Sequence, residues 1–466
     1  MTFPNSKVLL ENKVEQWVKI AVRNQVAELV LSGPKNYVLS EVLFTAKSLR
    51  CLDCSYLEIY DYKGIDLFPS LESLFLHEVL VPDTVLNHII TFSKLLKHLR
   101  LSGCYSFFEN IKSIVIPCNS KLEILDVTKS LLTDEGIVTI DTSSLTSFQY
   151  IGESYTGGVT GVHCERWPVI SKDGFLRNLR RLIIGFVSIT DEVLGKLLSE
   201  VVLLETLKLR NCSMLRTIEI SSAMLKDVRL EYCADLLDVT IDAPCLESFK
   251  YKGDFEPSLC INALAGCDMS LHVPPSSFYP DRVSKLKKLL IGLNNYHVLK
   301  IVLLDEPAKP NKNECDDIDL DEDELDEEEL DDDLGPPCDI SELKLNLSSW
   351  RPFKSCLSAF LDGVFWTCHP RILSLRVNLR DSNATIQPVI RNIKDMANCW
   401  NHPLKRVEIE GVMLDSDSNH VVFVVNSSHN GWSAGHLGLT SYIGCLRNYV
   451  ALRATLMVKQ LTLAIV

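Results

Sequence analysis

Cys51 and Cys54 have the spacing of a thioredoxin-type redox pair, and the same spacing could supply half of a zinc site. Leu49, Leu52 and Cys54, however, fall at positions that share the inward side of one strand phrase. The sequence also contains no second pair of cysteines with this spacing. We therefore interpret the pair as part of a buried core.

The other residue types that could perform chemistry do not combine into a known motif. The 11 histidines show no HExxH or other paired metal spacing, and the run Gly157–Gly161 lacks the strand, helix and lysine of a phosphate loop. No nucleophile elbow and no kinase motif occurs. We predict that the chain has no catalytic, cofactor-binding or metal-binding residues and is not an enzyme.

The net charge of −14 comes from one segment. Residues Asp316–Asp333 contain 14 Asp and Glu and no Lys or Arg, whereas the rest of the chain has 47 acidic and 47 basic residues. So dense a run of like charges repels itself, and we expect 305–339 to be a disordered linker, with weak calcium binding as the alternative. The neutral remainder has no basic excess to displace phosphate counterions, so we expect no nucleic-acid partner.

The cysteine content and the hydropathy of the sequence predict where in the cell the protein is found. The 16 cysteines are scattered, and no charged segment followed by an apolar run precedes them. Reduced thiols are typical of the cytoplasm and the nucleus, so we predict a cytoplasmic or nuclear protein, or one found in both. No apolar stretch approaches the ~20 residues that span a bilayer, so we expect no membrane partner.

The phrase Leu-x-x-Leu-x-Leu recurs along most of the chain and predicts the fold. Clean copies are Leu71, Leu74, Leu76; Leu96, Leu99, Leu101; and Leu204, Leu207, Leu209. The last two leucines of a copy face the same side of a short strand, and one such unit cannot bury that side alone, so copies must stack. The early copies recur every 22 to 26 residues, as in leucine-rich repeats. We predict an α/β leucine-rich-repeat solenoid, with a curved parallel β-sheet on the concave face and helices, loops and short strands on the convex face.

Four domain segments follow from the pattern. Residues 1–304 form the solenoid with an N-terminal capping helix, 305–339 the acidic insert, 340–428 further C-terminal repeats, and 429–466 a poorly defined segment. From Leu204 to Leu246 the phrases recur every 10 or 11 residues, which predicts coils of 21 residues with a strand on each side.

Local patterns within these segments make finer predictions. The apolar stripe of the capping helix is Val14, Trp17, Val18, Ala21 and Val22. Asp83 is predicted as the N-cap of a short return helix. Later strand phrases are predicted at Leu299, Val302, Leu304; at Ile340, Leu343, Leu345; and at Ile372, Leu375, Val377.

The residues beside the strand leucines point away from the core and form the candidate binding surface. They mix both charges, and the stretch from Thr206 to Lys252 is more basic than acidic, which suits a protein partner with an acidic segment, although such charges on many sheets serve only solubility. The acidic insert of the chain itself is an alternative occupant. The predicted partner-binding residues are His77, His98, Arg100, Thr206, Lys208, Arg210, Asp227, Arg229, Glu231 and Lys250.

Three stretches resemble the plant F-box proteins with leucine-rich repeats and an FBD-type C-terminal region. They are VEQWVKIAVRNQVAELVLS (Val14–Ser32), LSEVLFTAKSLRCLDC with FPSLESLFLHEVLV (39–54 and 68–81), and CWNHPLKRVEIEGV (Cys399–Val412). The resemblance implies a substrate-recognition surface of a cullin–RING ubiquitin ligase. The Leu-Pro-rich F-box phrase of that family does not occur in the sequence, so binding to the ligase adaptor is not expected.

These observations favour a non-enzymatic, monomeric protein that binds a protein substrate through its concave face. The alternative is a decoy or scaffold that binds and protects the same substrate without recruiting a ligase.

Overall fold

Parallel strands that recur at the spacing of the leucine phrases are the main elements of the computed structural model. It describes residues 6–60, 68–105, 111–117, 120–128, 132–152, 165–167, 169–171, 175–253, 257–263, 267–273, 298–303, 338–347, 368–378, 406–412, 420–428 and 431–434. The chain divides into two units, the first comprising Met1–Leu236 and Ile241–Leu246 and the second Leu237–Thr240 and Glu247–Val466.

The first unit contains three α-helices, two short 3-10 helices (Glu41–Thr45 and Phe175–Asn178) and most of the strands that the structure describes. In chain order its elements are α1 (Ser6–Arg23), β1 (Glu28–Val38), β2 (Cys51–Glu58), β3 (Ser73–His77), α2 (Asp83–Phe92), β4 (His98–Ser102), β5 (Ile111–Ile116), β6 (Ile124–Thr128), β7 (Leu132–Ile140), β8 (Ser147–Ile151), β9 (Glu165–Arg166), β10 (Val169–Ser171), β11 (Arg181–Gly185), β12 (Val187–Ser188), α3 (Asp191–Glu200), β13 (Thr206–Arg210), β14 (Thr217–Ser221) and β15 (Asp227–Glu231).

Strand β16 (Asp238–Asp242) has residues in both units. The second unit continues with β17 (Ser248–Lys252), β18 (Ser258–Asn262), β19 (Asp268–Val273), β20 (Val298–Leu303), β21 (Cys338–Leu347), β22 (Cys368–Asn378), β23 (Arg406–Val412), β24 (His420–Ser428) and β25 (Gly431–Ala434).

The sheet of the first unit confirms the leucine-rich-repeat solenoid. Strands β1, β2, β3, β4, β6, β8, β11, β13 and β15 each pair in parallel with the next. Equivalent positions align across the pairs, so that Leu74 lies beside Leu99 and Leu182 beside Leu207. These inward leucines are at most 1% exposed. Stacking therefore merges the apolar pairs of successive coils into one core, as the phrase predicts.

The other side of each coil carries different elements in different repeats. Helices α2 and α3 bury Val85, Leu86, Leu194 and Leu197. Between them, β7 pairs in parallel with both β5 and β10. In the coils of β13, β15 and β17 a short second strand (β14, β16 and β18) takes this place, and Ile218 and Ile220 of β14 are buried. The predicted change from a helix to a strand in the 21-residue coils is confirmed.

Three cysteines that follow strands hydrogen-bond to main-chain carbonyl groups, as expected for this repeat type. Cys104 Sγ lies 3.4 Å from the carbonyl oxygen of Leu76, and Cys212 Sγ lies 3.8 Å from that of Ile184. Cys233 Sγ lies 3.8 Å from the carbonyl oxygen of Glu231. The thiols of Cys104 and Cys212 satisfy buried main-chain acceptors of the preceding coil, and that of Cys233 bonds within its own turn, which assigns these cysteines a structural role.

In the second unit, β17, β19, β20, β21, β22 and β23 pair in parallel, and β24 and β25 add antiparallel strands. The phrase at Ile340, Leu343 and Leu345 is confirmed, since all three side chains are buried.

The register predicted for two later strands is wrong. In β20 the inward residues are Leu299 and Ile301, which pair with β19, and Val302 is half-exposed. In β22 Leu375 faces inward as predicted, but the phrase begins two residues earlier than predicted, because the second inward residue is Leu373 and Ile372 is half-exposed. Apolar residues occupy both alternations of β20, so pairing with the neighbouring strand fixes its face. In β22 the face is the predicted one, and pairing of Leu343 with Leu373 and of Leu345 with Leu375 fixes the register.

Two local predictions in the first unit are also wrong. Trp17 is 58% exposed, although the stripe assigned it to the buried face of α1. The helix packs on β1 and on the 3-10 helix at Glu41–Thr45 through a narrow face that buries Val14 and Val18. Asp83 is the first residue of α2 rather than its cap, because Pro82 occupies the N-cap position.

Some predictions lie outside the described residues. They concern Gly157–Gly161, the acidic insert 305–339 apart from Cys338 and Asp339 of β21, and most of 429–466. The four predicted domain segments remain predictions.

Alternating charges connect the residues that precede the strands. Glu72 Oε1 lies 2.6 Å from Arg50 Nε, and Glu72 Oε2 lies 3.2 Å from Lys97 Nζ. Glu205 likewise pairs with Arg180 and, at 3.2 Å, with Lys226. Each carboxylate thus links the coil before it to the coil after it.

The alternation of charges is interrupted between the Glu72 group and the Glu205 group, and the interruption has a physical reason. Between the two groups the equivalent positions hold Glu123 and Thr146, whose backbone amides continue the same ladder of hydrogen bonds. Because Thr146 is uncharged, it separates Glu123 from Arg180 and lets the alternation restart without two like charges side by side.

These pairs predict an acid-dependent loss of stability. The guanidinium of Arg50 and then the ammonium of Lys97 lower the pKa of Glu72, and Arg180 and then Lys226 lower the pKa of Glu205. A carboxyl whose folded-state pKa is lowered stabilises the fold above its unfolded pKa of about 4.3, and this contribution is lost as the pH falls through the folded value. The variant E72Q/E205Q should therefore be less stable than the wild type in urea denaturation at neutral pH, and the difference should vanish in acid. The control E219Q, at an exposed position of β14, should match the wild type at both pH values, and a pH-independent difference for E72Q/E205Q would contradict the assignment.

A second prediction concerns the inward leucines of the strands. Leu207→Ala removes a side chain with 0% exposure and should lower the free energy of unfolding by about 2–5 kcal/mol. Thr206→Ala, one residue earlier and facing outward, should change it by no more than about 0.5 kcal/mol. Urea denaturation followed by circular dichroism measures both, and equal losses would show that the two faces are not distinguished.

Candidate functional site

The candidate site lies on the side of the parallel sheet that faces away from the core. We call this side the outer sheet face; the first, third and fifth residues of each short strand form it. Burial alternates along β3, β4, β13 and β15, and the outward residues are half-exposed or exposed. The predicted residues His77, His98, Arg100, Thr206, Lys208, Arg210, Asp227, Arg229 and Glu231 all occupy such positions. Lys250 occupies one on β17, in the second unit, where it lies opposite Ser270.

The nine predicted residues of the first unit form two groups. His77, His98 and Arg100 lie on β3 and β4. The other six lie on β13 and β15, where the pairing aligns Thr206 with Asp227, Lys208 with Arg229, and Arg210 with Glu231. Strands β6, β8 and β11 separate the two groups. The sequence therefore identified the face correctly but did not show that its predicted residues are divided.

In the first group, neighbouring side chains hold Arg100 in place. Its Nε lies 3.2 Å from Asp126 Oδ2, and its guanidinium carbon lies 5.3 Å from the centroid of the Phe75 ring. Ser73 Oγ lies 3.2 Å from His98 Nδ1. An ion pair and a cation–π contact at an exposed position fix orientation more than they add stability.

In the second group, the carboxylate of Asp227 forms ion pairs with two cations. Asp227 Oδ1 lies 3.2 Å from Arg229 Nε, and Asp227 Oδ2 lies 3.8 Å from Lys208 Nζ. Burial lowers the pKa of Lys208, and the nearby charges of Arg229 and Arg181 lower it further, against the opposing effect of Asp227. The ammonium of Lys208 is therefore incompletely compensated by its own surroundings.

The sequence reasoning missed Arg181, which completes this group. It is the exposed first residue of β11 and lies beside Thr206. With it, the outer sheet face of β11, β13 and β15 carries four cations (Arg181, Lys208, Arg210 and Arg229) and two carboxylates (Asp227 and Glu231). The phrase Leu179, Leu182 and Ile184 places Arg181 at an outward strand position, and this signal could have identified it.

A second missed feature is a row of residues directly after the strands. Gly103 after β4 has a φ of +63°, and Phe186 after β11, Asn211 after β13 and Tyr232 after β15 have φ values of 54°, 47° and 56°. Glycine adopts this left-handed conformation freely, whereas other residues lose roughly 1–2 kcal/mol. We call Phe186, Asn211 and Tyr232 the rim. The glycine before Cys104 and the asparagine before Cys212 are the sequence signals for such a turn.

The rim continues the basic group. The guanidinium carbon of Arg210 lies 5.2 Å from the centroid of the Phe186 ring. Tyr232 is 39% exposed. Arginine and aromatic side chains are the residue types enriched where proteins contact one another.

The described cysteine and acidic side chains are better explained by structural roles than by redox or metal chemistry. Burial raises the pKa of the Cys54 thiol, and raises that of Cys104 to about 12, so both stay protonated and are poor nucleophiles. The prediction that both cysteines of the Cys51–Cys54 pair belong to the core is wrong for Cys51, which is half-exposed on the outer sheet face because it has the opposite alternation to Cys54. Within the described ranges, no group of three or more His, Cys, Asp or Glu side chains could hold a metal ion. No described helix is long and apolar enough to cross a bilayer.

Comparison with known proteins identifies similar chains. A protein-family model described as "At1g61320/AtMIF1, LRR domain" matches residues 2–159 and 162–308. The F-box/FBD/LRR-repeat protein At1g13570 of Arabidopsis thaliana is 33% identical over 90 residues, which are 19% of this chain and 22% of that protein. The chain thus matches about a fifth of the length of this relative. Among solved structures, an internalin (inlF) from Listeria monocytogenes aligns with 65% of this chain and 91% of its own, at a TM-score of 0.33 and 13% identity.

The shared carboxylate gives a test of the second group. Asp227→Asn should lower the free energy of unfolding by up to about 1 kcal/mol, because two cations lose their common partner. It should also lower the pKa of Lys208 further, because Asp227 opposes the other shifts. A lower pKa exposes more neutral amine, so amine acylation at Lys208, measured by peptide mass spectrometry at neutral pH, should be faster. Asp238→Asn, on an exposed position of β16, is the control, and unchanged acylation in Asp227→Asn would contradict the shared pairing.

Proposed function

Because the chain belongs to the At1g61320/AtMIF1 leucine-rich-repeat domain family, we propose that it binds another protein through the outer sheet face of its first unit. The observation that carries the proposal is the register of that face. Adjacent strands lie about 4.8 Å apart, and each contributes three outward side chains in line with those of its neighbours. A preformed surface of this kind offers a partner many contacts without having to order itself first.

The charges on this face support a protein partner. His77, Arg100, Lys208 and Arg229 are at least partly exposed and are interspersed with Asp126, Asp227 and Glu231. Charges of both signs that are fixed in position discriminate between partners, because a partner with misplaced charges leaves some of them unpaired. The role proposed here is recognition without catalysis, in a monomer of the cytoplasm or nucleus.

The setting we propose is substrate recognition for a cullin–RING ubiquitin ligase. Support comes from the F-box/FBD/LRR-repeat relative and from the three family-like stretches of the sequence. The second candidate is a decoy or scaffold that binds and protects the same substrate. Co-precipitation of the ligase adaptor from cells expressing the chain, combined with the half-life of the bound partner, separates the two. Adaptor binding with a shortened half-life favours the receptor, and a lengthened half-life without adaptor favours the decoy.

The outer face itself is tested by neutralising its cations. The triple variant Arg100→Gln, Lys208→Gln and Arg229→Gln should reduce recovery of partner proteins, quantified by mass spectrometry after affinity purification, by about tenfold, the effect of roughly 1.4 kcal/mol. The matched control neutralises three exposed lysines outside the sheet, Lys94, Lys121 and Lys196, and should recover the same proteins as the wild type. Partner recovery that is equal in the two variants would contradict the assignment of this face.

A further inference from the structure

The most informative part of the outer sheet face is its end at β11, β13 and β15, because two independent features coincide there. One is the excess of four cations over two carboxylates. The other is the rim, where Phe186 and Tyr232 place aromatic rings directly after these strands and the Phe186 ring lies under the guanidinium of Arg210. The left-handed conformation itself recurs at Tyr56, Glu78 and Gly103, so it belongs to the repeat, and the fold accepts glycine at this turn.

The opposite end of the same face has the opposite charge. On β1 to β6 the outward charged residues, histidines aside, are Glu28, Asp53, Asp126 and Arg100, and Arg100 is paired with Asp126. Within the first unit, attraction for an anionic partner is therefore strongest at β11, β13 and β15. Within that end, the partial burial of Lys208 and its incomplete compensation by Asp227 mark the point where an added carboxylate would be most stabilised.

We propose that the outer sheet face of β11, β13 and β15, together with the rim, binds an extended acidic peptide segment that also carries a bulky apolar side chain. Its carboxylates pair with Lys208 and with Arg181 or Arg229, and its apolar side chain packs against Phe186 and Tyr232. This inference rests on the proposed protein-binding function and names the chemistry of the partner.

The spacing of the two contacts sets the spacing within the peptide. Lys208 precedes the rim residue Asn211 by three positions of extended chain, a distance of about 10 Å. A peptide strand advances roughly 3.3 Å per residue and presents alternate residues to one side. About three residues span this distance, so the same-side spacings that bracket it, two and four positions, are the ones expected between its acidic and apolar residues.

The interleaved carboxylates favour a peptide over a nucleic acid. Asp227 lies between Lys208 and Arg229, and Glu231 lies beside Arg210. A phosphate backbone carries one charge per nucleotide and would meet these carboxylates, although aromatic and basic side chains also occur in single-strand binding sites. A peptide can space its acidic residues to avoid them.

The test uses the full chain and a short fluorescein-labelled peptide in which glutamate and phenylalanine alternate with serine. Fluorescence anisotropy should show saturable binding that weakens as salt is added, because exposed ion pairs are screened. The double variant F186G/Y232G should bind about tenfold or more weakly, as for the loss of aromatic anchors at an interface. Glycine relieves the backbone strain at both positions, so the loss of binding should occur without a loss of stability in urea denaturation.

The matched control is Tyr56→Gly. Tyr56 has the same left-handed conformation, with a φ of 60°, on β2 at the other end of the face. This variant makes the same chemical change and should bind the peptide within about twofold of the wild type, a difference of roughly 0.4 kcal/mol.

Several outcomes would overturn the inference. They are no saturable binding of the peptide, equal binding by F186G/Y232G and the wild type, equal binding of a peptide with serine in place of phenylalanine, and tighter binding of a single-stranded oligonucleotide. Any of these results can occur while the triple variant with glutamine at positions 100, 208 and 229 still loses its protein partners. In that case the proposed protein-binding function is supported, and the proposed acidic peptide is contradicted. If the triple variant keeps its protein partners, the proposed protein-binding function itself is contradicted.

Discussion

Burial of the paired strand leucines in register is the constraint on which the rest of this structure depends. Leu182, Leu207 and Val228 lie side by side on consecutive strands of the first unit and are fully buried. Because side chains alternate along a strand, burying these residues turns their neighbours Ile183, Lys208 and Arg229 to the opposite face. The outer sheet face is thus a consequence of the core, and a slip of one residue would exchange the two faces. Recognition residues can vary freely on such a scaffold, provided that they stay out of the inward positions.

The two ends of the strands are fixed by different interactions. At the amino-terminal ends, carboxylates such as Glu72 bridge the basic side chains of the coils on either side. At the carboxyl-terminal ends, left-handed residues turn the chain away, and their amides bond to the next coil: the Gly103 amide nitrogen lies 2.8 Å from the Thr128 carbonyl oxygen. These contacts hold the outward side chains of β11, β13 and β15 in a defined arrangement, which is the preorganisation that a binding surface needs.

The sequence predicts much of this architecture, and the errors have physical causes. Steps of 10 and 11 residues from Leu204 to Leu246 identify β13 to β17, because one apolar alternation is clear in each strand. In β20 both alternations are apolar, and only pairing with β19 makes Ile301 inward. Trp17 matched a helical period, but the extent of the buried face depends on what α1 packs against. The grouping of Arg181 with Lys208 and Arg229, and the conformation of Phe186, arise from contacts between coils, which a repeat period does not encode.

In-register stacking within the first unit is tested most directly by distances between equivalent positions. Spin labels attached through an unnatural amino acid at His77 and, in turn, at Thr128, Ile151, Arg210 and Glu231 span two, three, five and six strand steps. The distances, measured by continuous-wave line broadening for the shorter pairs and by double electron–electron resonance for the longer ones, should increase in that order, by about 5 Å per step, from roughly 10 Å to roughly 30 Å. Distances that do not follow the order of the coils would contradict the stacked core and, with it, the binding surface derived from it.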